Sequence, residues 1–228
     1  MNALAGRLAV VTGWSRGIGR AVADVLVGAG ATVVGLARTA PDGGQVQGMP
    51  CDVTDGSSVE HAAGQIMERH GAPSILVHSA GAFLFKAFAE TTSAEFREQV
   101  EANLVGAFHV LRAFVPAMCE RGGRVVTIGS ITDHVPLPGN TAYGASKAGL
   151  RGLHDTVAAE YAGRGVTMTL ISPGATDTTL WDAVDPDGRA DLPDRSAMLR
   201  PEDVADAVLF AVTRPPRVRV NVMHLEAG

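Results

Sequence analysis

The chain has 228 residues, 46% of them hydrophobic, enough for one sizeable core that buries roughly 70% of the unfolded chain's surface. Its net charge of −5 comes from interspersed acidic and basic residues, so no basic stripe offers itself to nucleic acid or an anionic membrane, and no apolar run reaches the about 18 residues of a spanning helix. Cys51 and Cys119 lie far apart in apolar surroundings, which excludes a disulfide framework and reads as two reduced structural thiols in a cytoplasmic protein.

The first residues run into an apolar strand pattern without a basic region, an apolar stretch and a cleavage site, which predicts a non-exported chain. Residues 8–12 form the first predicted strand, and Thr12-Gly13-Trp14-Ser15-Arg16-Gly17-Ile18-Gly19 turns from it into a helix over 17–28. Strands over 32–36 and 45–49 follow. The segment 40–48 between them is too short and too rich in Gly and Pro for a helix, so this crossover is expected to be a loop. Then come a helix over 57–70, a strand over 75–78, a long helix over 93–120 and a strand over 125–128. A helix over 142–162, a strand over 167–171, a helix over 201–212 and a last strand over 218–225 complete the series. Ser93 ahead of Glu95 and Phe96, and Pro201 followed by Glu202 and Asp203, mark helix starts.

This alternation predicts an α/β fold of the Rossmann type: a doubly wound parallel sheet of about seven strands with helices on both faces. No repeat or linker divides it, so residues 1–228 are expected to form a single domain. The glycine-rich turn sits between strand and helix, the context a dinucleotide fingerprint requires. Glycines there let the backbone approach a pyrophosphate, and the helix N-terminus presents free N–H groups to it. On a helix, Tyr143 and Lys147 at i and i+4 share a face, so the ammonium is expected to favour the ionised phenol. A phenol acidified in this way can exchange protons near neutral pH.

Through T-G-W-S-R-G-I-G, Asn103, Ser130, Y-G-A-S-K at 143–147 and P-G-A-T-D-T at 173–178, nearly the whole chain resembles the short-chain dehydrogenases/reductases. The resemblance implies that Tyr143 gives a proton to the substrate oxygen in reduction and removes it in oxidation, while Ser130 holds that oxygen. It implies further that Lys147 bonds the nicotinamide ribose and lowers the Tyr143 pKa, and that Asn103 positions a water linking Lys147 to solvent. Gly13, Ser15, Arg16, Gly17, Ile18 and Gly19 would cradle the pyrophosphate. Asp52 and Val53 would lie beside the adenine, with Ser79, Ala80 and Gly81 along the dinucleotide and Pro173, Gly174, Thr176 and Thr178 around the carboxamide. Asp52 equally suits a cap on the helix that follows. No metal is implied. One departure is His78-Ser79-Ala80-Gly81 where the family usually has Asn-Asn-Ala-Gly, and His78 reads as a hydrogen-bonded structural substitute.

At the end of the second strand a carboxylate would accept the ribose 2′-OH of NAD(H), but the chain has Ala37 followed by Arg38. Arg38 and Arg16 offer planar forks that match a 2′-phosphate, so NADP(H) is favoured over NAD(H). Beyond the strand ends, the segments 82–88, 131–140 and 175–199 would line the substrate pocket with Phe83, Phe85, His134, Val135, Leu137, Leu180 and Trp181, which points to a small, mainly apolar ketone or alcohol. Residues 182–194, rich in Asp, Gly and Pro, read as a mobile lid. Two classes of function follow. One is an NADP(H)- or NAD(H)-dependent carbonyl reductase or alcohol dehydrogenase; the other is a non-catalytic dinucleotide-binding sensor, which has no chemical need for a phenol paired with an ammonium. In the resembling family the two long helices pack across subunits, which implies a homodimer or homotetramer.

Overall fold

In the computed structural model, which describes residues 2–39 and 44–228, seven parallel strands form one sheet. They are β1 (Leu8–Thr12), β2 (Thr32–Ala37), β3 (Val46–Pro50), β4 (Ile75–His78), β5 (Gly123–Ile128), β6 (Val166–Pro173) and β7 (Val222–Leu225), in spatial order β3-β2-β1-β4-β5-β6-β7. The α/β, Rossmann-type expectation is met. β1, β4 and most of β5 are apolar on both faces, as a strand covered from both sides must be.

The main helices are α1 (Gly17–Gly28), α2 (Gly56–His70), α3 (Ser93–Val100), α4 (Gly106–Met118), α5 (Thr141–Glu160) and α6 (Pro201–Thr213). α1 and α6 cover one face, where Val22, Leu26, Val204 and Val208 meet Val11, Val33 and Ile171. α2, α4 and α5 cover the other, with Ile66, Leu111 and Phe114 on Val10, Leu76 and Val125. Each such side chain contributes about 1.5–3 kcal/mol when it leaves water, so the two apolar layers fix the sheet between the helices.

Local chemistry sets the boundaries. Asp55 caps α2 by accepting from Ser57 N at 2.9 Å, and Gly71 at φ +80 ends that helix. α3 starts from a reciprocal cap between Thr92 and Glu95, one residue before the expected Ser93. The long helix predicted over 93–120 is interrupted by a π-helical turn, Glu101–Val105, that carries Asn103. β7 begins at Val222 rather than 218, because the Val218 and Val220 carbonyls accept from Arg124 and Thr169 side chains instead of a neighbouring strand. Of the loop expected over 40–48, residues 40–43 lie outside the described residues and 46–48 belong to β3.

The chain leaves β1 toward β2 on one side and toward β4 on the other. That reversal opens a crevice at the carboxyl ends of the strands, the place where ligands bind in such sheets.

Candidate active site

A crevice of about 1160 Å³ runs along this edge, and every residue expected to bind a cofactor or take part in catalysis lines it. Its two ends are built differently.

At the β1 end the wall is backbone. Gly13 has φ +70, and a Cβ there would lie 2.8 Å from Ala80 Cα; a Cβ on Gly19 would lie 2.3 Å from the Gly13 carbonyl oxygen. Only glycine fits either position. The N-terminus of α1 has no side-chain cap, so its N–H groups are left for a ligand. Trp14 turns inward instead and covers Gly35 of β2, where a Cβ would meet the indole at 2.3 Å. Ala37 ends β2 without a carboxylate, and Arg38 and Arg16 are exposed at the rim with no ion-pair partner among the described residues. A glycine cradle and an uncapped helix N-terminus fit the pyrophosphate of a dinucleotide. Asp52 does not cap α2; its carboxylate accepts from Thr54 N at 3.0 Å and Thr54 Oγ1 at 2.8 Å, closing a turn.

At the switch between β1 and β4, Thr12 Oγ1 accepts from the N–H groups of Ser79 and Ala80, both at 3.1 Å, and lies 3.0 Å from His78 Nδ1. With two N–H groups already on it, the hydroxyl is placed to donate to Nδ1, and the buried His78 Nε2 has no hydrogen-bond partner among the described residues. Burial pushes His78 down to about 3, which keeps the ring neutral. The expected structural substitute is what the site contains.

At the β5 end the wall is side chain. Ser130 leaves β5 and caps a short helical turn, Ile131–Asp133. Its Oγ accepts from Thr132 N at 3.2 Å and from Thr132 Oγ1 at 3.0 Å, which uses both lone pairs and leaves its O–H free to donate. Tyr143 projects from the first turn of α5, its ring edge-on to Phe83 at 4.9 Å, and Phe83 in turn lies 4.8 Å from Trp181. Lys147, a turn later, is buried and donates to the Ile128 carbonyl at 3.0 Å. Asn103 is fully buried and locks the backbone at Ala82, accepting from its N–H and donating to its C=O, both at 2.9 Å, while also donating to Ser146 at 2.9 Å. A Cβ on Gly81 would lie 2.6 Å from Asn103 Oδ1 and 3.9 Å from Lys147 Nζ, so both side chains border the same side of that glycine.

One electrostatic expectation is corrected. Burial pushes Tyr143 up to about 12, opposed by a hydrogen bond from Ser130 and reinforced by the Asp133 charge. Lys147 Nζ, 5.8 Å from the Tyr143 ring centre and turned to a carbonyl, does not overcome that desolvation. Burial also lowers Lys147 itself to about 8, with Asp133 acting in the other direction, so the ammonium persists at neutral pH. In this geometry the phenol is neutral.

The apolar part of the crevice contains Phe83, Phe85, Leu137, Leu180 and Trp181 as expected. His134 and Val135 are not on its wall, because His134 turns to Asp133 and to His224, whose ring lies 4.3 Å from its own. Of the segment read as a lid, Arg189, Asp191, Leu192 and Pro193 line the crevice, and Arg195, just beyond it, ties it to its neighbours. Arg195 reaches Asp177 at 2.6 Å and Asp182 at 2.8 Å, and its backbone N donates to Asp187 at 2.7 Å. Thr132, Ser146 and Asp133 are site residues that sequence reasoning passed over. The S-x-x-D spacing of Ser130 and Asp133 is the signal that could have found the capped turn. Both cysteines are free, and burial pushes the Cys51 thiol up, away from reactivity.

Residues 7–188 match the family model of the short chain dehydrogenases. The 3-oxoacyl-(acyl-carrier-protein) reductase of Escherichia coli strain K12 is 33% identical over 237 residues, an alignment that covers 98% of this chain and 97% of that protein. The ligand-free aldohexose dehydrogenase of Thermoplasma acidophilum superposes with a TM-score of 0.90 at 26% identity, over 100% of this chain and 95% of the other. An alcohol dehydrogenase from Thermococcus sibiricus, complexed with 5-hydroxy-NADP, gives 0.85 at 29% identity, over 97% and 96%.

Proposed function

This chain belongs to the short-chain dehydrogenase family and is an NAD(P)-dependent oxidoreductase acting on CH–OH or carbonyl groups; from that premise we propose that it uses NADP(H) on a small, mainly apolar ketone or secondary alcohol, with Tyr143 as general acid and base. The observation that carries this reading is the convergence of Ser130, Tyr143, Lys147 and Asn103 on the crevice that the glycine-rich turn also enters.

The glycine cradle and the α1 N-terminus would hold the pyrophosphate, Arg38 and Arg16 the additional phosphate, and Lys147 the ribose. When bound, the nicotinamide supplies or accepts the hydride. The protein's part is the proton and the charge. As the substrate oxygen gains negative charge, the Ser130 O–H, whose oxygen is held by Thr132, donates a hydrogen bond to it, and the neutral Tyr143 phenol gives up its proton. Lys147, which with Asn103 borders Gly81, stabilises the phenolate left behind, and Asn103 would hold the water through which a proton returns. Phe83 and Trp181 beside Tyr143 suit an apolar substituent on the substrate.

The NADP(H) preference is supported by Ala37 and the two rim arginines, and by the NADP analogue in the Thermococcus sibiricus relative. Residues 1–228 act as one cofactor-binding and catalytic unit. Phe96 and Phe108 on the outer surfaces of α3 and α4, 40% and 46% exposed, support a homodimer or homotetramer. Among the described residues no helix is long and apolar enough to cross a membrane; the cytoplasmic location is our proposal from the reduced, free cysteines.

The test is Tyr143→Phe assayed with NADPH and a panel of ketones, 3-oxoacyl esters, sugars and steroids. Turnover is expected to fall by about 10²-fold or more with dinucleotide affinity nearly unchanged. Retention of more than about a tenth of wild-type kcat removes Tyr143 from the acid's role.

A further inference from the structure

Asp133 is a buried carboxylate with no surface-exposed side-chain area, set on the turn that carries Ser130. Its Oδ1 accepts from His134 Nδ1 at 2.6 Å and Arg151 Nη1 at 2.9 Å. Its Oδ2 accepts from the Ser172 hydroxyl and, at 3.5 Å, weakly from the Ser130 backbone N–H. The backbone leaves room for it, since a Cβ on Gly129 would come within 2.7 Å of Oδ2. An unpaired carboxylate in such a place would be too costly to keep ionised, but four donors from the turn, α5 and β6 hold this one as an anion.

Two consequences follow from that placement. The reciprocal cap between Ser130 and Asp133 fixes the turn whose Thr132 aims the Ser130 hydroxyl. The anion also acts on both members of the proton-exchanging pair, opposing ionisation of Tyr143 and favouring the charged form of Lys147.

We propose that Asp133 is a positioning residue for the reaction, the fixed negative charge that anchors the Ser130 turn and sets the potential against which Tyr143 and Lys147 exchange a proton. This rests on the reading of Tyr143 as the acid and base. The turn packs on α5 and β6; the side chains bonded to the carboxylate are Arg151 from α5, the neutral Ser172 from β6 and His134 from the turn, and its charge also reaches Tyr143 and Lys147 of α5. Behind them stand His224 of β7, against His134, and Asp155 of α5, 3.9 Å from Arg151.

Removing a negative charge lowers the pKa of every neighbouring group, and removing a positive one raises it. Asp133→Asn keeps the shape of the side chain, and the Ser172 hydroxyl can turn to accept from the new amide. Arg151→Gln keeps the carboxylate and strips part of its compensation. The readout is the alkaline titration of phenolate absorbance in the free protein, which has 2 tyrosines; the Tyr143 component is the one absent from Tyr143→Phe. Its midpoint is expected to move down by at least about half a pH unit in Asp133→Asn and up in Arg151→Gln. The alkaline limb of kcat/KM for NADPH-dependent reduction of ethyl 3-oxobutanoate is expected to shift in the same two directions, as a property of the coupled pair. If Asp133→Asn does not fold, Asp133→Ser, which also removes the charge and keeps a small polar group, takes its place, and a midpoint that does not move down sinks the proposal. Midpoints that coincide in all three proteins overturn the role of Asp133. Full turnover in Tyr143→Phe overturns instead the reading of Tyr143, and leaves the electrostatic result intact.

Discussion

The two ends of the crevice achieve order by opposite means. Near β1 the wall is made by leaving atoms out: Gly13, Gly19 and Gly35 let backbone touch backbone or an indole, and the α1 N-terminus goes uncapped. Near β5 the wall is made by hydrogen bonds between side chains and backbone: Ser130 is held by Thr132, Asn103 by Ala82 and Ser146, Asp133 by four donors. Substitutions that add atoms should therefore damage the first end, and substitutions that delete polar atoms the second.

The sharpest way to break this contrast is a pair of variants. Tyr143→Phe deletes one oxygen and should cost about 10²-fold or more in kcat with little change in dinucleotide Kd. Gly13→Val adds atoms at φ +70, against Ala80 backbone 2.8 Å from the new Cβ. It should weaken dinucleotide binding at least about tenfold and lower Tm, from strain on the order of 1–2 kcal/mol before any clash. Calorimetric titration with NADP+ and a thermal melt separate the two. A Gly13→Val protein that binds normally would show that the cradle is not needed.

A smaller effect is expected at the rim. Arg38→Ser removes a fork but no packing, so KM for NADPH should rise about tenfold while that for NADH changes little, the loss expected of a charge-assisted hydrogen bond. Equal changes for both dinucleotides would assign Arg38 to the pyrophosphate or to solvent.

The same contrast explains what the sequence made legible. Backbone-built features follow from residue type: glycines that only one geometry needs, runs of Val and Leu that only a covered strand tolerates, a Pro at the start of α6. Hence β1, α1 and β4 lie where the pattern places them. Side-chain features depend on what arrives from elsewhere in the chain. The spacing of Tyr143 and Lys147 shows that they share a face, but not that both are desolvated, and desolvation decides the direction of both shifts. Nor does spacing within one segment reveal Ser172 and Arg151 converging on Asp133, or Asn103 reaching Ser146 from a π-helical turn. The position of His134 in the loop points to the pocket, whereas its partners on the turn and on β7 draw it away.

The smallest effect tests how the side-chain wall works in detail. Thr132→Val is nearly isosteric and keeps the Thr132 N–H that donates to Ser130 at 3.2 Å, but removes the Oγ1 donor at 3.0 Å. One Ser130 lone pair is then empty, and the hydroxyl rotor gains orientations in which its proton no longer points toward the reacting oxygen. One neutral hydrogen bond is worth about 0.5–1.5 kcal/mol, so kcat should fall by about 3–10-fold. KM and dinucleotide affinity should stay near wild type, since the lost interaction strengthens only as charge develops. A Thr132→Val variant as impaired as Ser130→Ala would give Thr132 a direct role at the substrate. One with unaltered kcat would mean that the substrate, not the turn, orients the serine, and the β5 end would then be less preorganised than its hydrogen bonds indicate.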